Sequence, residues 1–175
     1  MIGFLRFLGA ANAAVWFGSA IFFTFAVGPA FFSERMLSLL GGSNLELGRA
    51  YAGAAVQVVL ERYFALHLVC GLIALVHLFA EFLYMGKPLQ RLTLYLLLGV
   101  FSLGILGGYW LQPKLQQLHR ERYSKTSTPE RVQQAAKSFR TWHATSQILN
   151  LVMIAGVLTY LWRVTTPPSV YRYRN

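Results

Sequence analysis

The sequence predicts an all-α integral membrane protein: an antiparallel four-helix bundle forming one domain over residues 1–175, with helices extended beyond the membrane on one side. Three observations carry this. Hydrophobic residues make up 55% of the chain and charged residues only 13%, whereas a soluble domain carries about 25% charged residues. Residues 7–32, 63–80, 92–111 and 141–162 contain no Asp, Glu, Lys or Arg. Each run approaches the roughly 20 residues that a helix needs to cross the hydrocarbon layer. None shows the strict alternation of a barrel strand, and a lipid-embedded backbone must satisfy its own hydrogen bonds, so the runs read as helices. The spans are expected at about 7–32, 63–84, 92–111 and 141–162.

The opening MIGFLRFLGAANAAVWF imitates a secretory signal, with Arg6 before an apolar run and an A-x-A at Ala11-Asn12-Ala13. The run continues to Phe32, too long for a signal core, and is therefore taken as the first span. Ala10, Ala14 and Gly18 repeat at four-residue spacing and predict its packing face, while Gly28-Pro29 predicts a kink at its far end. Gly41-Gly42 closes this helix, and Ser43 with Glu46 reads as a capping box opening the second. Cys70, the only cysteine, falls in the middle of the second span and is expected in the core; an internal disulfide or thiolate cluster is excluded. Gly86-Lys87-Pro88 ends that helix.

The third helix is expected from Leu92 to about Tyr123, with Gly104 and Gly108 facing inward, and Ser127-Thr128-Pro129-Glu130 opens the fourth. Helices of more than about 30 residues are some 45 Å long, against a hydrocarbon core near 30 Å, and must project from it. The projecting segments PKLQQLHRERYSK and PERVQQAAKSFR, with the start of the second helix from Leu45 through Arg62, predict a basic helical knob in which His119 is solvated.

Formal charge is +10, from 16 Lys and Arg against 6 acids, all of them Glu. No nucleic-acid-reading motif accompanies this charge, so the expected partners are a lipid bilayer with anionic headgroups and other subunits of a membrane complex, not nucleic acid. Arg6, Lys87, Arg91, Arg163, Arg172 and Arg174 share one side, and the majority of basic residues lies on the other. Positive-inside counting then puts the two longer loops in the cytoplasm and both termini outside. The chain lacks a phosphate-binding glycine loop, an H-E-x-x-H and a nucleophile elbow, which points away from an enzyme.

Chemistry concentrates in SFRTWHATSQILNL, residues 138–151. His143, Ser146, Gln147 and Asn150 fall on one helix face at steps of three, four and seven. Polar groups at this depth ordinarily face protein or a wet cavity. One reading is a structural polar cluster of Asn12, His143, Ser146 and Asn150 that fixes helix register. A second is a haem-binding electron-transfer protein. The second and fourth helices are diagonal partners, His67 follows Arg62 by five residues and His143 follows Arg140 by three, so the two imidazoles are expected at one depth, as haem b would require. A third is a carrier of small solutes, metals or protons. No cofactor or metal site is assigned outright. His77 and Glu81, four apart, read as a hydrogen-bonded pair.

YWLQPKLQQL, SFRTWHATSQILNL and VLERYFALH together resemble the transmembrane protein 205-like family, small four-helix membrane proteins whose general biochemical function is not established. Its W-L-x-P falls on Trp110, Leu111 and Pro113, and its F-x-x-x-H-x-x-S-x-x-x-N-L on Phe139, His143, Ser146, Asn150 and Leu151. A P-x-Y-F is matched only by Glu61-Arg62-Tyr63-Phe64, without the proline. The resemblance covers most of the chain and implies the fold more than an activity. The leading expectation is a non-enzymatic structural or accessory subunit, placed in a bacterial cytoplasmic membrane.

Overall fold

A computed structural model describes residues 2–85, 89–124 and 126–166. The joint at Gly86-Lys87-Pro88 and the basic tail with Arg172 and Arg174 lie outside the described residues. The helices are α1 (Ile2–Phe22), α2 (Gly28–Phe31), α3 (Glu34–Gly41), α4 (Leu45–Met85), α5 (Arg91–Leu106), α6 (Gln112–Arg122) and α7 (Pro129–Thr165). A π-helical turn, Phe23–Val27, joins α1 to α2, and another, Gly107–Leu111, joins α5 to α6. Among the described residues there are therefore four helices long and apolar enough to cross a membrane: Gly3–Phe31, Leu45–Tyr84, Arg91–Arg122 and Pro129–Thr165.

Both π turns have the same cause. Each sits just before a proline, Pro29 or Pro113, and each closes with a wide hydrogen bond, from Gly28 N–H to Phe23 O and from Gln112 N–H to Gly107 O. A helical proline has no N–H to donate, and its ring crowds the carbonyl four residues earlier. Widening the preceding turn relieves that crowding without breaking the helix. At Gly28-Pro29, where the sequence predicts a kink, the structure has this π turn.

Packing closes a square. α1 packs on α4 and α7, and α5 packs on the same two helices, so α1 and α5 share one diagonal and α4 and α7 the other. The core between them holds Trp16, Cys70, Leu97, Val100, Met153, Val157 and Tyr160. Bulky apolar side chains such as Phe22, Val69, Leu72, Leu106, Val152 and Leu158 point outward. So much exposed apolar surface suits hydrocarbon and not water.

The structure corrects several expectations about the first helix and the caps. Its buried face is Gly9, Ala13, Trp16 and Ala20; Ala14 and Gly18 are exposed, and nothing lies near the position of a Gly18 side chain. The first helix does not run on to Gly41, because Ser33 stops it and caps α3, accepting from Met36 N. Short α3 then folds back along α4, with Gly41 and Gly48 so close that a Cβ on either would overlap the other helix's backbone. Gly42, at φ 59°, makes the intervening turn in a backbone region that favours glycine. Asn44 caps α4 through Leu47 N, and Thr128 caps α7 through Arg131 N. Each cap lies one residue beyond the serine that begins the S-x-x-E pattern. Asn and Thr bond the same kind of orphan N–H, so the chain uses whichever capping residue meets the helix axis.

Candidate functional site

The candidate site is a cleft of about 570 Å³ in the half of the molecule where the helices project. Its origin is geometric. α4, the α5–α6 rod and α7 continue past the point where α2 ends at Phe31, and α3 lies along α4 without refilling the vacated corner. The end of the first span, α4, α6 and α7 all contribute walls. Both π turns lie at its edge, supplying Phe23 and Thr24 from one and Gly107 and Leu111 from the other.

Apolar walls come from Val56, Leu60, Phe64, Leu115 and Phe139. At one end Tyr63, Thr24 and Asn150 join three helices: Asn150 Nδ2 donates to Thr24 Oγ1 at 2.8 Å, and the Tyr63 hydroxyl donates to Asn150 Oδ1 at 3.5 Å. At the other end α6 is held on α4 by His119, whose Nε2 lies 3.0 Å from Ala50 O and whose ring rests over Gly53. The expected solvation of His119 is thus corrected: it is buried, because Gly53 opens a notch in α4 that a side chain would fill. Gln112 Nε2 adds a bond to Gln57 O. Arg49 and Arg122 line the same end as His119, and among the described residues no carboxylate lines the cleft.

The polar stripe of the fourth helix faces this cleft: His143, Ser146, Gln147 and Asn150 all line it. They do not form one cluster. Ser146 Oγ donates to His143 O within its own helical turn, and the His143 ring stacks on Phe139. Asn12 is elsewhere, donating from Nδ2 to Cys70 O at 2.9 Å. Asn12 and Asn150 each tie the first helix to a neighbour, at separate depths.

His67 and His143 are not brought together. His67 is 1% exposed and both ring nitrogens are engaged, Nδ1 by Trp16 Nε1–H at 2.8 Å and Nε2 with Val100 O at 3.3 Å. Taking the Tyr63–Asn150 contact as a ruler, His67 lies four residues to one side of it and His143 seven to the other, an axial separation of roughly 16 Å at the helical rise. Arg62 and Arg140 therefore do not mark one depth, and the expected bis-histidine clamp does not fit this arrangement. Among the described residues no three His, Cys, Asp or Glu side chains converge to hold a metal ion. His77 turns to the first helix, with Nε2 2.9 Å from Leu5 O and the ring over Gly9.

A family model, "Domain of unknown function (DUF4149)", matches residues 12–124. The chain belongs to the DUF4149 family. No curated protein and no solved structure matches it significantly. In this DUF4149 protein the match takes in the first span from residue 12 onward, the second and third spans, and the walls contributed by α4 and α6, while the α7 wall with His143 and Asn150 lies beyond it. The cleft itself was not legible in the sequence. Its signals, Pro113 and Gly53, carry meaning only once the neighbouring helices are in place.

Proposed function

We propose that this DUF4149 protein is a non-enzymatic membrane protein that holds an amphiphilic molecule, taken from the bilayer, in the cleft between its projecting helices. The observation that carries the reading is the cleft's construction. Two proline-coupled π turns on different helices meet at one cavity, and such turns, which forgo regular helix hydrogen bonds, concentrate at functional sites. A volume of about 570 Å³ lies in the range of small-molecule sites, roughly 300 to 1,000 Å³. Apolar walls with a few convergent polar groups match the composition of such sites. On its motifs at Trp110, Leu111 and Pro113 and in the fourth helix, we also group the chain with the transmembrane protein 205-like proteins.

Native mass spectrometry of gently extracted protein tests the reading. Wild type is expected to retain one bound lipid per chain after exchange into detergent. Ser146→Trp should remove it, because the indole fills the cleft while Ser146 makes no bond to another helix. Equal lipid retention by wild type and Ser146→Trp would overturn the proposal.

A further inference from the structure

Resting on that reading, we infer that the cleft selects a single-chain lipid with an anionic headgroup from the bilayer, bound with its headgroup at Arg49 and Arg122 and its acyl chain along Val56, Leu60 and Phe64. Charge is the first argument. Among the described residues the lining contains two guanidiniums and no carboxylate, so an anion entering it meets attraction from the walls. The two arginines belong to one end: His119 bonds Ala50 O and rests on Gly53, which sets Arg122, three residues after His119, level with the first turns of α4 where Arg49 lies. Neither guanidinium donates to a protein acceptor among the described residues, and Arg122 only leans over the Tyr123 ring at 5.2 Å. Their donors are therefore available to a headgroup, and hydrogen bonds between ions are about twice as strong as neutral ones.

Shape is the second argument. From Arg49 to Phe64 the α4 wall is 15 residues long, about 22 Å at the helical rise, which accommodates an extended acyl chain below a headgroup. A volume of about 570 Å³ admits one such chain and excludes a whole two-chain phospholipid. The deep end adds no free charge, since Thr24, Asn150 and Tyr63 are bonded to one another. A chain terminus is tolerated there, beside Phe23 and Leu111.

The test uses the full chain in phosphatidylcholine nanodiscs, titrated with lysophosphatidic acid or lysophosphatidylcholine carrying the same acyl chain. Lysophosphatidic acid is expected to bind one per chain and about tenfold more tightly, a ratio that charged hydrogen bonds to two arginines can supply. Arg49→Gln with Arg122→Gln should reduce it to the affinity of lysophosphatidylcholine and leave the latter unchanged; Lys at both positions should restore part of the preference. If both lipids bind equally to wild type, and Ser146→Trp abolishes both, the anionic selectivity is wrong while the cleft remains an amphiphile site. Binding of either lipid that survives Ser146→Trp would sink the cleft reading and this inference with it. Preference for lysophosphatidic acid that persists in the double Gln variant would also overturn the inference, by placing the headgroup elsewhere.

Discussion

The Trp16 indole donates its Nε1 hydrogen to Nδ1 of His67 at 2.8 Å, joining α1 to α4 at the centre of the bundle. Tryptophan can only donate, so Nδ1 is bare and the proton of the neutral ring sits on Nε2, where it points to Val100 O on α5. The ring rests against Gly104, whose missing side chain is the space it occupies. One imidazole thus fixes the rotation of three helices at once.

Trp16→Phe keeps an aromatic ring but loses the donor and part of the buried volume, leaving Nδ1 of His67 unsatisfied in a fully buried position, which should cost at least about 1 to 3 kcal/mol. Gly104→Ala drives a methyl group into the ring and should cost a similar amount, about 1 to 3 kcal/mol, through overpacking. Thermal unfolding in one detergent checks both. Unchanged melting temperatures would mean that the Trp16–His67 contact does not hold the bundle.

A second tie is the Asn150 side chain, which donates to Thr24 and accepts from Tyr63. Asn150→Ala should destabilise by about 1 kcal/mol, with coupling to Thr24→Val near 0.6 kcal/mol in a double-mutant cycle, the average for interhelical bonds in a membrane. Coupling indistinguishable from zero would remove this bond from the account.

Which parts of this architecture were readable in advance follows from what a one-dimensional pattern encodes. Uncharged runs give the four spans because hydrocarbon excludes charge whatever the packing. Helix rotation is different. Small residues recur on two faces of the first helix, and only the pairing of Trp16 with His67, 51 positions apart, chooses between them. Helix depth is hidden for a related reason: Arg62 precedes the Tyr63–Asn150 contact by one residue and Arg140 precedes it by ten, so the last charge before each apolar run does not mark one level. The polar stripe of the fourth helix was legible as a face, but its cleft depends on α2 stopping at Phe31 while three neighbours continue.

α3 offers a test confined to one element. Gly41 and Gly48 let α3 lie against α4 at backbone contact, and a Cβ on Gly48 would overlap the Leu37 carbonyl. Gly48→Ala should detach α3 and raise the rate of limited proteolysis between Ser33 and Asn44 several-fold, while the melting of the four spans stays nearly constant. Wild-type proteolysis rates in this variant would show that the close approach is dispensable.

The rotation of the first helix gives the sharpest contrast, because neighbouring alanines have opposite environments. Ala13 is fully buried in the core, whereas Ala14 is exposed, and Gly18 has open space where its side chain would be. A leucine at Ala13 has no room without moving the core around Trp16 and should cost about 1 to 3 kcal/mol. A leucine at Ala14 or Gly18 projects into acyl chains, where added apolar surface is tolerated, so either change should stay within about 0.5 kcal/mol of wild type. Had Ala10, Ala14 and Gly18 formed the packing face, the order would be reversed. Measuring all three leucine variants in the same lipid mixture decides between the two rotations. A destabilising Ala14→Leu beside a neutral Ala13→Leu would overturn the placement of Trp16 against His67 as well, since a helix turned by one residue carries the indole away from its acceptor.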